Sequence, residues 1–257
     1  MPYRPRSPGL RPLVAGNWKM NGSRNDIDEA AKICSAVAGG EAGKAEIVIC
    51  PPATLLMAMA SSCNGSPVRF GGQDCHAEPS GAFTGDISAE MLKDAGASFV
   101  IVGHSERRRA HHETDKIVRA KATAALRAGL VAIICVGETR AEREAGGALP
   151  IVGGQLSGSI PENFSLERVV IAYEPVWAIG TGLTPTAQDV AEMHRFIRDR
   201  LNRHLPEPGG NVRILYGGSV KPANAGELMT VKNVDGALVG GASLTSAEFM
   251  AIAGVYR

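Results

Sequence analysis

The chain has 257 residues, of which 44% are hydrophobic and 21% charged, and its formal net charge is +1. This length allows one large domain or two small ones. A charge so close to neutral gives no support to nucleic acid as a partner, because such binding needs a basic surface. No apolar run approaches the length of a membrane span, so we expect no membrane association either.

The five cysteines form no Cys-x-x-Cys motif, and their number is odd. Because no signal peptide precedes them, they favour reduced thiols in a cytoplasmic protein over a disulfide or zinc framework. Residues 1–11 contain three prolines and three arginines and resemble neither a signal peptide nor a helix. They predict a loose N-terminal extension, followed by a single domain over residues 12–257.

Short apolar runs alternate with longer segments of helical periodicity from residue 12 onward. The runs predict strands at 13–15, 47–50, 68–75, 99–102, 131–136, 169–171, 212–216 and 237–239. The run at 68–75 is the weakest, since two glycines interrupt it. The run of Val169, Val170 and Ile171 is β-branched and apolar without polar alternation, which indicates a strand buried on both faces.

Two of the predicted helices have clear ends. Thr186 and Asp189 form a capping box that predicts a helix start, and Pro206 predicts where that helix ends. The last helix is predicted at 246–254 from its apolar periodicity.

A third helix is predicted from about Thr114 to Gly129, because glycine commonly ends helices. Its apolar residues Ile117, Val118 and Ala125 are expected to face inward.

Strand-then-helix units predict parallel strands joined by right-handed crossovers. Roughly eight units in about 250 residues match a single-domain α/β fold, the (β/α)8 barrel with outer helices. A doubly wound open sheet is the alternative. The first predicted strand is not followed by the Gly-x-Gly-x-x-Gly turn of that fold, so the barrel is favoured.

Three polar side chains follow different predicted strands: Lys19, His104 and Glu174. The carboxyl ends of the strands meet on one face of such a barrel, where active sites form. Asn17 lies two residues before Lys19, so both side chains should point to the same face. Simpler interpretations stay open: a buried Glu174 paired with an arginine, a solvated Lys19, or a packed or surface His104.

His104 is expected where the fourth strand meets a helix. A helix N-terminus disfavours a charged imidazole, so a neutral hydrogen-bond donor is predicted. His111 and His112 lack the spacing of metal ligands and are interpreted as surface residues, so no metal site is predicted. Cys135 is interpreted as a small buried hydrophobic residue.

Glycine pairs follow the last two predicted strands. Gly217 and Gly218 precede Ser219, and Gly240 and Gly241 follow the final strand. Barrels of this kind often bind phosphate there, through backbone amides and a short helix N-terminus. Two tight turns with no ligand are the alternative.

The loop after Glu174 carries the large apolar side chains of Val176, Trp177 and Ile179, followed by a Gly-Thr-Gly tip at 180–182. Loops usually carry polar side chains. This composition therefore predicts a lid that closes over a bound molecule, with an ordinary strand-to-helix loop as the alternative.

Five motifs in series resemble the triosephosphate isomerase family. They are VAGNWKMN at 14–21, GHSERR at 103–108, AYEPVWAIGTG at 172–182, YGGS at 216–219 and DGALVGG at 235–241. The resemblance runs from about residue 12 to the end of the chain, in the family's order. It implies a homodimeric barrel enzyme of glycolysis and gluconeogenesis. Such an enzyme interconverts dihydroxyacetone phosphate and glyceraldehyde 3-phosphate without cofactor or metal.

The resemblance also implies roles for individual residues. Glu174 corresponds to the base that moves a proton between two carbons, and His104, Lys19 and Asn17 correspond to the residues that serve the oxygens. The backbone amides that hold the phosphate correspond to Gly180, Ser219, Gly240 and Gly241. Glu106 and Cys135 resemble the family's residues that contact the catalytic side chains without touching the substrate.

Residues 73–86 resemble the family's loop that enters the partner subunit. Asp86 stands where glutamate is commoner, which leaves the strength of the interface open. The longer N-terminal extension leaves the role of residues 1–11 open.

Two other functions remain as alternatives. A Schiff-base aldolase would use Lys19 as its nucleophile, although the nearby Asn17 and the strand-end Glu174 do not suit that chemistry. A non-catalytic phosphate-binding module could share the same fold. The presence of every expected chemical residue counts against it.

Overall fold

The computed structural model describes residues 10–162, 165–179, 183–204 and 212–257. Eight parallel strands form a closed barrel, in which each strand pairs with the next along the chain and the last pairs with the first. The strands are β1 Leu13–Asn17, β2 Glu46–Cys50, β3 Arg69–Gly72, β4 Phe99–Val102, β5 Val131–Val136, β6 Val169–Tyr173, β7 Arg213–Tyr216 and β8 Gly236–Val239. The predicted (β/α)8 barrel is therefore confirmed.

Helices cover the outside of the barrel. In the described chain they are α1 Ile27–Ala38, α2 Ala53–Ser62, α3 Ala89–Asp94, α4 Ser105–Ala110, α5 Asp115–Arg127, α6 Arg140–Glu144, α7 Ala148–Ser159, α8 Ala187–His204, α9 Pro222–Leu228 and α10 Ser246–Ala253. Short 3₁₀ turns include Val176–Ala178 after β6 and Gly241–Ser243 after β8. No helix in the described ranges is long and apolar enough to cross a membrane.

Each strand buries both of its faces. In β1, Leu13 and Ala15 point into the barrel interior, whereas Val14 packs in the layer between the barrel and the helices. The interior core is built from the residues Leu13, Ala15, Val48, Cys50, Phe99, Ile101, Ile133, Cys135, Val170, Ala172, Leu215 and Leu238. Because successive side chains enter two different apolar cores, the strands appear in the sequence as continuous apolar runs.

The predicted helix starts are confirmed. Thr186 Oγ1 accepts the Asp189 amide at 3.1 Å, and the Asp189 carboxylate accepts the Thr186 amide at 3.0 Å. The α5 helix follows Thr114, whose side chain caps it, and Gly129 comes two residues after its end. Pro206 and residues 1–9 of the expected extension lie outside the described residues.

Two details of the sequence prediction were wrong. The strand expected at 68–75 spans only Arg69–Gly72, and Gln73 after it bonds through its side chain to backbone carbonyls of neighbouring segments. Ile117 was expected to face inward but is 41% exposed. The buried stripe of α5 passes through Val118 and Ala125, and Ile117 lies at its edge in the first turn.

Closure of the barrel predicts one sensitive position. Gly236 begins β8 with φ +149, and a Cβ there would lie 1.8 Å from the carbonyl oxygen of Leu13 on β1. We expect Gly236→Ala to lower the free energy of unfolding by at least about 3 kcal/mol, measured by chemical denaturation. Gly226→Ala is the control, because nothing lies within 4 Å of its added methyl. Equal stability of the two variants would contradict this account of closure.

Candidate active site

A cavity of about 520 Å³ opens at the carboxyl ends of the strands. Its size is typical of small-molecule sites. The sequence-predicted residues that line it are Asn17, Lys19, His104, Glu174, Ser219, Gly240 and Gly241. Glu106 and Cys135 are not part of this lining: Glu106 pairs with Lys19, and Cys135 is buried in the barrel interior. Gly180 lies outside the described residues.

Glu174 follows the last residue of β6 and is 1% exposed. Its Oε2 accepts the Ser105 amide at 3.0 Å, and its Oε1 accepts the Ser105 hydroxyl at 3.0 Å. The same Oε1 lies 2.9 Å from His104 Nε2. Burial raises the pKa of Glu174, but His104 and the two Ser105 hydrogen bonds outweigh burial and lower it overall. The side chain that contacts the Glu174 carboxylate in place of the expected arginine is thus His104, within the described chain.

Glycines on both neighbouring strand ends leave room for Glu174. A Cβ on Gly137, after β5, would lie 1.7 Å from the Glu174 carbonyl oxygen, and one on Gly217, after β7, would lie 3.1 Å from Glu174 Cγ. Pro175 comes next with φ −68 and has no amide hydrogen to continue the ladder. The local sequence therefore ends the strand directly at the carboxylate.

His104 is the N-cap of α4. Its Nδ1 accepts the Glu106 amide at 3.3 Å, so the proton of a neutral ring lies on Nε2 and can be donated to Glu174. Burial lowers the pKa of His104, while the Glu174 carboxylate outweighs burial and raises it overall. Because Glu174 raises this pKa, movement of Glu174 towards a substrate would favour the neutral ring.

Lys19 reaches into the cavity from the segment after β1. Its Nζ lies 2.5 Å from Glu106 Oε1, and its amide donates to Asn17 Oδ1 at 3.0 Å. The Lys19 backbone has φ +55, which is uncommon for a residue with a side chain. Glu106 therefore supports the ammonium, while Asn17 supports the main chain.

The glycines in the two turns differ in whether packing requires them. A Cβ on Gly218 would lie 2.2 Å from Tyr216 Oη, so packing requires glycine there. A Cβ on Gly241 would meet nothing within 4 Å, and one on Gly240 would meet Lys19 Cε at 3.6 Å. Packing therefore does not require these two glycines. Their backbone lies open to the cavity beside a lysine, where an anion could approach it closely.

The first turn of the expected lid is attached to a buried carboxylate. Glu138 Oε1 accepts hydrogen bonds from Trp177 Nε1 at 2.8 Å and from Tyr173 Oη at 3.1 Å. Arg143 pairs with the same oxygen at 3.1 Å and lies over the Trp177 ring, and it also pairs with Asp189 on α8. These contacts join the segment after β6 to β5, α6 and α8.

Sequence reasoning gave no role to Ser105 or Glu138. Ser105 directly follows His104, and Glu138 comes two residues after the end of β5. Both were therefore visible in the sequence as polar residues just after a predicted strand. Their roles depend on which oxygen each one contacts across the barrel mouth. That information is not contained in the spacing of a single chain segment.

The fold and the cavity define a (β/α)8-barrel enzyme in which a carboxylate lies among hydrogen-bond donors, with an open glycine turn in the same cavity. The family model for triosephosphate isomerase matches residues 12–256. The chain belongs to the triosephosphate isomerase family.

Individual relatives agree with this assignment. The triosephosphate isomerase of Afipia carboxidovorans is 61% identical over 244 residues, which cover 95% of this chain and 97% of the relative. The triosephosphate isomerase of Brucella abortus is 57% identical over 251 residues, which cover 98% of this chain and 99% of that relative. The crystal structure of triosephosphate isomerase from Bartonella henselae superposes with a TM-score of 0.90 at 49% identity, covering 96% of this chain and all of that one.

The contact between His104 and Glu174 predicts a pKa change. We expect His104→Gln to raise the pKa of Glu174, because burial would then be opposed chiefly by Ser105. Carbon-13 NMR titration of the side-chain carboxyl would measure this, with Glu174→Gln used to assign the signal. His111→Gln is the control, since His111 is exposed at the end of α4. A pKa that stays the same or falls in His104→Gln would show that His104 does not keep this carboxylate ionised.

Proposed function

We propose that this chain interconverts dihydroxyacetone phosphate and D-glyceraldehyde 3-phosphate by proton transfer through an enediolate. One observation carries the proposal: Glu174, His104 and Lys19 come from three different strand ends and line a single cavity. A carboxylate, a neutral donor and a cation are the groups that this reaction needs. Membership of the family supports the same conclusion.

Glu174 acts as the base. A proton next to a carbonyl is weakly acidic, so its removal needs a positioned carboxylate and donors aimed at the oxygen where charge develops. Glu174 takes the proton from C1 of dihydroxyacetone phosphate, and the C–H electrons move to form the enediolate. Return of the proton to C2 gives the aldehyde. The carboxylate must first exchange its bonds to Ser105 for the substrate.

His104 and Lys19 act on the oxygens. The Nε2 proton of His104 stabilises the developing oxyanion, as the neutral histidine of this family polarises the carbonyl, and it can pass between the two substrate oxygens. The Lys19 ammonium attracts the anionic substrate and offsets the enediolate charge. Asn17 lies beside Lys19 and serves the same side of the substrate.

Backbone amides hold the phosphate group. We place it against Ser219, Gly240 and Gly241, where the glycine backbone is open and Lys19 is near. Gly180 would add its amide from the lid, although it lies outside the described residues. Closure of the lid would exclude water from the enediolate.

The alternative aldolase chemistry finds no support at Lys19. A Schiff-base lysine must present an unprotonated amine to the substrate. The Lys19 ammonium is paired with the Glu106 carboxylate at 2.5 Å, and its side chain is partly exposed to solvent. This direct contact with a carboxylate fits an electrostatic role for Lys19 better than a nucleophilic one.

We also propose that two copies of the chain associate through the 73–86 loop. His76 orders this loop, because its ring lies 4.0 Å from that of Phe83 and its Nε2 lies 3.7 Å from Asp86. Phe83 remains 41% exposed and Met20 96% exposed, which supports their burial against a second copy.

All five cysteines are free and buried, which fits a reducing compartment, and we place the protein in the cytoplasm.

The role of Glu174 predicts the effect of a small displacement. Glu174→Asp should fold normally but lose roughly 10²-fold in kcat, because the shorter side chain withdraws the base by about 1 Å. KM should barely change, since the phosphate contacts are intact. Steady-state kinetics would measure this, with Glu192→Asp on the exposed side of α8 as the control. If Glu174→Asp turns over substrate at nearly the wild-type rate, Glu174 is not the base.

The proposed dimer predicts a dependence on the loop tip. Replacing residues 80–85 by a short glycine link should give monomers, measured by analytical ultracentrifugation, because it removes the exposed Phe83 ring. Activity should fall as well, because resemblance to the family implies that the loop tip lies near the partner subunit's Asn17 and the partner subunit's Lys19. Monomers that keep full activity, or dimers that persist, would contradict the proposal.

A further inference from the structure

We propose that Gln73 is a positioning residue for Lys19. Its carboxamide holds the Lys19 main chain in the conformation that directs the ammonium into the cavity. This inference rests on the proposed function and assigns a role to a residue outside the cavity lining.

The starting observation is the backbone of Lys19. Its φ of +55 lies in the left-handed region, which is unfavourable for a residue with a side chain. Such conformations persist only where surrounding contacts hold them. Lys19 comes directly after Trp18, whose amide still bonds to Cys50 of β2 at 3.1 Å. The unusual turn therefore occurs immediately after the chain leaves the barrel ladder.

Two side chains hold both polar groups of the Lys19 main chain. Asn17 Oδ1 accepts its amide hydrogen at 3.0 Å, and Gln73 Nε2 donates to its carbonyl oxygen at 2.8 Å. The same Nε2 donates to the Cys50 carbonyl at 2.9 Å. Because both neighbours are acceptors, the nitrogen of the Gln73 amide must face them. One neutral NH₂ group thus ties the Lys19 turn to the end of β2.

The backbone of Gln73 is itself fixed on the other side. The next residue, Asp74, accepts two hydrogen bonds from Lys121 at 2.7 and 2.8 Å and pairs with Arg107 at 2.8 Å. These partners belong to α5 and α4. A side chain that starts from so constrained a position can hold the Lys19 carbonyl in place, whereas a freely moving loop residue could not.

The conformation of Lys19 decides where its charge lies. In the observed turn its Cε lies 3.6 Å from where a Gly240 Cβ would stand, and its Nζ reaches Glu106. The side chain thus extends from the end of β1 towards both β8 and α4. Relaxation to negative φ would rotate the Cα–Cβ bond and carry the ammonium away from this position.

The test is Gln73→Met, which keeps the length of the side chain and removes both donors. We expect KM for dihydroxyacetone phosphate to rise about tenfold and kcat to change less than threefold. The reason is that Lys19 contacts the anionic substrate both before and during the reaction. Affinity for 2-phosphoglycolate, whose carboxylate resembles the enediolate, should fall by a similar factor in calorimetry.

A double-mutant cycle separates positioning from general support. In a Lys19→Met background, Gln73→Met should cause no further loss of 2-phosphoglycolate affinity, because the charge that it positions is already gone. Gln155→Met is the matched control. Gln155 also bonds a backbone at the barrel mouth, accepting from and donating to Gly137 at 2.7 and 3.0 Å. Its effect should be the same in both backgrounds.

Equal losses from Gln73→Met in both backgrounds would overturn the inference, as would a lower melting temperature with unchanged KM. Gln73→Asn provides a second variant if the methionine variant does not fold. It is one methylene shorter and can reach at most one carbonyl, so we expect a smaller rise in KM with the same non-additivity, and additivity would again contradict us. Wild-type protein without isomerase activity would instead refute the proposed function, whatever the cycle shows.

Discussion

An ionised carboxylate held inside the protein is the constraint on which the rest of the site depends. Burial of Glu174 favours its neutral form, and only hydrogen bonds and a nearby positive partner can reverse that preference. The hydroxyl and amide of Ser105 and the ring of His104 supply these contacts from the start of one helix. Because the helix begins directly after β4, the position of the carboxylate depends on the register between β4, β5 and β6.

The same partners also restrain Glu174 away from a substrate. A base that is fully satisfied by Ser105 cannot take a proton from carbon, so binding must replace those bonds with contacts to the substrate. Binding energy at the phosphate end can drive this exchange, because it is released far from the reacting carbons. In the mechanism that we propose, this binding energy comes from the open glycine backbone at Gly240 and Gly241 and from the charge of Lys19.

Sequence patterns predicted the barrel because the same strand-then-helix unit, with the same burial and capping requirements, is repeated along the chain. Every strand buries two faces, so each appears as an apolar run, and helix starts such as Thr186 carry their own capping chemistry. The sequence patterns failed where a residue's position depends on contacts with other segments of the fold. Gln73 lies beyond the end of β3, and its amide bonds to the carbonyls of Lys19 and Cys50 on the neighbouring segments. Ile117 lies at the edge of the buried stripe of α5.

The candidate site divides in the same way. Strand-end positions alone indicated Lys19, His104 and Glu174 as side chains that should converge, and the cavity brings them together. Their individual roles came from resemblance to a family. Neither source revealed that Ser105 holds the carboxylate or that Glu138 bonds to Trp177 after β6, because both contacts join distant segments of the chain.

The central claim is that Glu174 moves a carbon-bound proton through an enediolate. It is tested most directly by incubating the wild-type protein with dihydroxyacetone phosphate in D₂O and following the products by proton NMR. We expect glyceraldehyde 3-phosphate that carries solvent deuterium at C2, because a proton held on a carboxylate can exchange with solvent. No isomerised product, or product formed rapidly without any solvent deuterium, would contradict the account, since the latter indicates direct hydride transfer between the carbons.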